Sequence, residues 1–208
     1  MANQNKPTGL IPIGTVGSNA FNGQGNLYAI ANDASNTYAI GDVVKTAAGT
    51  DANGVPYVVK ALGTDVPLGI IVGFRVADPG VSLVGANLNL NNIFLPLNAG
   101  LRYAYVVDDP DVVFEVQMDS TAVTQANLHK NASLTVTAND TANLAISPVS
   151  STVINGISLA TTNTLPIRCM GLIQRDDNQI TSSTTVGAYC RVKAKWNLHE
   201  FFGGFTAS

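Results

Sequence analysis

The sequence predicts an all-β protein, a β-sandwich or jelly-roll-like body with an extended N-terminal arm and at most one short helix. Three observations lead there. Apolar runs are short and of strand length, turn signals rich in Gly, Asn, Asp and Pro separate them, and the clearest runs alternate with period two. The charge content agrees: only 12% of residues are charged, against about 25% in a typical soluble domain. Gly, Asn, Thr and Ser take the place of the missing charge, which suits turns, sheet faces and surfaces to be buried against another protein.

Residues 1–35 read as an N-terminal arm or irregular edge, with Ile11-Pro12-Ile13 and Leu27 to Ile30 separated by Asn- and Gly-rich stretches. Residues 36–208 read as a single β-rich domain. Tyr38 to Lys45 is a strand interrupted at Gly41-Asp42, and Asp51-Ala52-Asn53-Gly54 supplies a turn whose Asn-Gly pair tolerates positive φ. Val55 to Leu62 leads into Leu68 to Arg75, a buried-strand run. Leu88–Leu97 and Leu101–Val107 are expected to pair across Asn98-Ala99-Gly100, with Tyr103, Tyr105 and Val107 on one face. Asp108-Asp109-Pro110-Asp111 is a strong turn, and Val112 to Met118 alternates after it, so the two strands make a hairpin or a sheet corner.

Ser120 is placed to cap one short helix ending near Leu128, although Val123, Ala126 and Leu128 form an incomplete apolar stripe. Residues 134–160 read as a polar insertion of short, exposed strands. Leu165-Pro166 opens a strand to Gln174, and Arg175 to Asn178 is a polar turn. In Tyr189 to Leu198, Cys190, Val192, Ala194 and Trp196 face one way while Arg191, Lys193, Lys195 and Asn197 face the other.

Composition and spacing also restrict function. A net charge of −3 with scattered cations argues against nucleic acid; Arg191, Lys193 and Lys195 share one strand face, but as a weak patch. No run approaches the ~18 apolar residues of a membrane span, and the start lacks the apolar stretch of a signal peptide. Manufacture in a cytoplasm follows, and with it reduced, buried Cys169 and Cys190. His129 and His199 are the two histidines, and no nucleophile elbow accompanies them, so an enzyme is not expected. The acidic turns, including Asp108, Asp109, Asp111 and nearby Glu115, do not match a calcium-loop spacing, and the cysteines and histidines lack zinc-site spacing. No metal or cofactor is expected. Gly14-Thr15-Val16-Gly17 lacks the Lys and the context of a phosphate loop.

Candidate partner contacts are the apolar residues of the arm, Ile11, Ile13 and Phe21, and those of the tail, Phe201, Phe202 and Phe205, where Gly203-Gly204 permits close approach. Two stretches resemble a known family. Val106 to Gln117 (VVDDPDVVFEVQ) and Tyr189 to Glu200, ending Asn197-Leu198-His199-Glu200, resemble segments of structural proteins of tailed-phage virions, including capsid cement proteins. Leu165-Pro166-Ile167-Arg168 resembles an apolar strand of the same family. The resemblance covers the C-terminal half, and it implies a β body on the outer capsid surface. There it would bridge major capsid protein subunits, often as a homotrimer, with Asp108, Asp109, Pro110 and Asp111 shaping a corner and Asn197 and His199 binding backbone at a strand end. Rival readings are a tail or fibre protein and a carbohydrate-binding β-sandwich, the last depending on exposed rings at Tyr103, Tyr105 and Trp196.

Overall fold

A computed structural model describes residues 3–17, 19–30, 33, 35–75, 94–95, 101–137, 149–178 and 185–202. In chain order the strands are β1 (Ile11–Thr15), β2 (Asn26–Ile30), β3 (Tyr38–Ala39), β4 (Val43–Thr50), β5 (Pro56–Lys60) and β6 (Gly69–Phe74). They continue as β7 (Phe94–Leu95), β8 (Arg102–Val107), β9 (Val112–Gln117), β10 (Val123–Thr124), β11 (Asn131–Ala132) and β12 (Leu134–Thr135). The last four are β13 (Val153–Ile154), β14 (Ile167–Leu172), β15 (Thr185–Val186) and β16 (Arg191–Trp196). The protein is all-β, and its body is sandwich-like in packing. A five-stranded antiparallel sheet, β1-β9-β16-β14-β11, lies against a closed barrel, β2-β5-β4-β6-β8, in which β2 and β5 alone run parallel.

Two apolar cores explain why some runs do not alternate. Successive strand residues point to opposite faces, and in the barrel both faces are covered. Val44, Ile71 and Val106 fill the barrel interior. Their neighbours Val43, Ile70 and Val107 point outward into the core shared with the sheet. A strand buried on both faces reads as a continuous apolar run. The sheet contributes Phe114, Val116, Cys169, Val192, Ala194 and Trp196 to the shared core, which places one side of β16 as its alternation predicts.

Of the region read as an N-terminal arm or irregular edge, the described residues include two strands of this body. β1 is an edge strand with an irregularity between Pro12 and Gly14, and β2 closes the barrel between β5 and β8. Asn and Gly between the short apolar runs made the region look detached, yet Tyr28, Ala29 and Ile30 are all buried. The crossing of the N-terminal segment over the barrel depends on two glycines in contact. Gly9 and Gly41 have φ of +66° and +88°, and a Cβ on Gly9 would lie 2.5 Å from the Gly41 carbonyl oxygen.

Four other expectations meet the structure as follows. The acidic turn is a corner, because β8 belongs to the barrel and β9 to the sheet. β8 lies between β2 and β6, and Phe94–Leu95, the described part of Leu88–Leu97, pairs with β3 and not with β8. Barrel closure requires partners on both edges of β8, a demand that the turn residues Asn98-Ala99-Gly100 do not reveal; 76–93 and 96–100 lie outside the described residues. No α-helix follows Ser120. Val123 is drawn into the core as part of β10, and only a 3-10 turn, Gln125–Asn127, follows, without a side-chain cap at Thr124.

The polar insertion is buried in part where it is described, while Thr135, Thr137 and Ile157 are exposed. β12 pairs with β13, Leu134 and Ile154 enter the shared core, and Ser150 and Thr152 are fully covered. Their hydroxyls bond to each other at 2.9 Å, and Ser150 also donates to the Asp42 carboxylate, so burial leaves these groups satisfied. Polar composition alone reads as exposure because such pairing is invisible in one dimension. Residues 138–148 lie outside the described part.

Candidate functional site

The outer face of the five-stranded sheet combines an open edge with a cationic centre. Across the strands, Ile11, Glu115, Lys193 and Gly171 fall in one row. Gly14, Val113, Lys195, Arg168 and Asn131 form the next. Directly opposed residues share a face. β1 has no strand on its outer side among the described residues, and Ile11, Ile13 and Val16 are 38%, 39% and 46% exposed. The N-terminal segment lies over the other end of this face. Gln117 accepts from the Lys6 amide at 3.0 Å and donates to Asn5 at 3.0 Å, while Arg191 reaches the Lys6 carbonyl at 2.7 Å. Glu115 is held by Arg175 at 2.9 Å and Arg191 at 3.1 Å. Both faces of β9 are thereby covered, and Glu115 and Gln117 are buried while facing away from the core that holds Phe114 and Val116.

Phe21 is not on the β1 edge. It packs half-buried against the shared core and lines a cleft of about 370 Å³ with Asn19, Gln24, Asn26, Asp108 and Asp109. Asp108 accepts from the Asn26 amide at 2.9 and 3.0 Å and from the Tyr28 hydroxyl at 2.6 Å, tying the corner to β2. Burial, and then this carboxylate, raise the Tyr28 phenol's pKa. Asp109 accepts from the Asp111 amide at 2.9 Å, and Pro110 completes the turn. Tyr38 with Asp33 and Tyr103 with Asp51 repeat the device, each fixing a loop to the barrel.

The strand-end residues sit nearby. Asn197 donates from its amide to the Asn163 and Leu165 carbonyls at 3.1 and 2.8 Å. His199 is fully buried, and its ring meets those of Trp196, Phe201 and Phe202 at centroid distances of 6.2, 5.5 and 6.0 Å. Phe201 is 56% exposed, whereas Phe202 packs against the shared core; Phe205 lies outside the described residues. The Phe201 N–H donates to His199 Nδ1 at 3.1 Å, which leaves the proton of the neutral ring on Nε2. Burial pushes the imidazole's pKa below its ordinary value, opposed by the Leu68 backbone and the charges of Asp108 and Asp109. Glu200, the adjacent carboxylate, is engaged by the Thr46 amide at 2.8 Å.

A pH dependence follows. A histidine neutral in the fold and protonated when unfolded withdraws stability as protons are added. Its contribution is complete above the unfolded value of about 6.5 and is lost as pH falls through the depressed folded value. The urea midpoint of the protein is expected to drop as pH falls below about 6.5, and His199→Gln to flatten that decline. An unchanged slope in the variant would assign the decline to other groups.

Of the remaining chemistry, Cys169 and Cys190 are buried free thiols whose pKa values burial pushes up to about 12, so neither is an activated nucleophile. Among the described residues no group of three or more His, Cys, Asp or Glu is placed to hold a metal ion. Trp196 and Tyr103 are buried, so they present no stacking platform, and of the three rings only Tyr105 reaches the surface, at 40% exposure. The sequence reading missed Arg168 as part of the cationic face. The alternation of Lys193 and Lys195 was the available signal, but the register that sets Arg168 beside them depends on β14. Compared with known proteins, the chain matches no family model, no curated sequence and no solved structure.

Proposed function

We propose that the chain is a non-enzymatic virion structural protein of a tailed phage. It decorates the outer capsid surface and cements it by bridging major capsid protein subunits, with self-association as a homotrimer. The observation that carries this reading is the edge strand β1, whose Ile11 and Ile13, with Val16 just beyond, are exposed beside no neighbouring strand among the described residues. Exposed edges and apolar side chains are sites where another chain completes a sheet or covers a face. Pro12 lacks an N–H and the strand is bulged, so side-chain burial contributes more there than an added ladder would. The resemblance of residues 106–117 and 189–200 to phage virion proteins supports the same reading. On a lattice, many modest contacts combine into firm attachment.

The test is co-sedimentation of the purified protein with capsids that lack it. Deleting residues 1–20 would remove β1 and unfold part of the sheet, so point substitutions are the better probe. Saturable pelleting is expected, weakened about tenfold or more by Ile11→Ser with Ile13→Ser at an unchanged melting temperature. Failure to pellet with either immature or expanded heads would overturn the reading.

A further inference from the structure

Ile11 of β1 shares its face with cations that have no ion pair among the described residues, and Ile13 is exposed beside it. Arg168 and Lys195 are directly opposite across β14 and β16, an arrangement that destabilises a sheet through like-charge repulsion. Lys193 lies two residues from Lys195 on the same face. None of the three has an ion pair among the described residues. Glu115 stands between Ile11 and Lys193 in its row, but its carboxylate is occupied by Arg175 and Arg191. Beyond Lys193 the row ends at Gly171, above which a Cβ would meet nothing within 4 Å.

We propose that this face receives an acidic protein segment. Its carboxylates would neutralise Arg168, Lys193 and Lys195, and its apolar side chains would cover Ile11 and Ile13. The inference rests on reading the β1 edge as a contact with a neighbouring protein, and it adds that neighbour's chemistry. Nucleic acid fits the same face less well. Phosphates gain from an unbroken cationic stripe, whereas here the cations are bordered by apolar Ile11 and Ile13 in a chain of net charge −3.

The test uses the full chain without capsids, so that it is separable from the co-sedimentation result. Fluorescence anisotropy would follow a short labelled peptide alternating Glu and Val, its Lys–Val counterpart, and a duplex DNA. The acidic peptide is expected to bind, with affinity falling about tenfold or more in Lys193→Glu/Lys195→Glu and again at raised salt. Ile11→Ser/Ile13→Ser should weaken it as well. Lys193 is exposed and Lys195 half-buried at the surface; because Lys193→Glu would stand opposite Glu115, Lys193→Gln/Lys195→Gln is the companion variant that should melt as the parent does and still lose affinity. Equal binding of both peptides, indifference to charge reversal, or tighter binding of DNA than of the acidic peptide would overturn the proposal. Peptide binding without capsid binding would sink the capsid reading and leave this one standing.

Discussion

Replacing Trp196 with alanine is expected to destabilise the protein by about 3–5 kcal/mol. The indole is completely buried, meets Phe114 edge-on at a centroid distance of 4.9 Å, and lies where the sheet, the barrel and the C-terminal turn converge. Its loss opens a cavity that backbone on several elements cannot close, so both the transfer and the cavity costs apply. With total stabilities of about 5–15 kcal/mol typical of a domain, such a loss removes a large share of the native population at room temperature. Trp196→Phe should cost much less. It keeps an aromatic ring against Phe114 and deletes an indole N–H that has no hydrogen-bond partner among the described residues. Urea denaturation of the two variants measures the difference, and equal losses would mean that the ring contact contributes little.

The buried ion pair between Asp42 and Lys60 leads to the second large effect. The two groups approach to 3.0 Å, with side-chain exposures of 0% and 7%. Asp42 also accepts from the Ala39 amide at 2.9 Å and from Ser150, joining β3, the start of β4 and the segment before β13. Lys60→Met is expected to cost about 3–5 kcal/mol, because it strands a carboxylate in a site that water does not reach. Adding Asp42→Asn should recover part of that loss, since the neutral amide carries no charge to desolvate and still offers an acceptor to Ala39. A double variant no more stable than Lys60→Met would show that the cost lies in packing rather than in charge. Thermal melts of the single and double variants form the cycle that separates the two.

The residues most legible in sequence were those whose burial is set by their own strand. Cys190, Val192, Ala194 and Trp196 alternate with Arg191, Lys193 and Lys195, and the fold buries the first set as the pattern requires. The Asp51–Gly54 turn was equally legible, because its conformation is local. Asp51 caps it with bonds to the Asn53 and Val55 amides at 2.8 Å each, and Gly54 takes φ +81°. Around the candidate face, Ile11 and Ile13 could be named from sequence as apolar residues in a polar setting. Their neighbours Arg168 and Glu115 could not, because cross-strand register brings together residues far apart in the chain.

The sequence by itself determined that this protein is built from short strands, that its turns fall at Gly, Asn, Asp and Pro, and that one side of β16 faces a core. These follow from side-chain alternation and backbone preferences, which act over a few residues. Only the tertiary structure decided that the strands divide between a closed barrel and an open sheet. It also decided that β1 joins the sheet and β2 the barrel, and that Glu115, Gln117 and the Ser150–Thr152 pair are buried. Those outcomes depend on which edges pair and on which polar groups find partners across the fold. Such choices are made between distant segments, as when Arg175 meets Glu115 across 60 residues or Ser150 meets Asp42 across 108, and no local pattern encodes them.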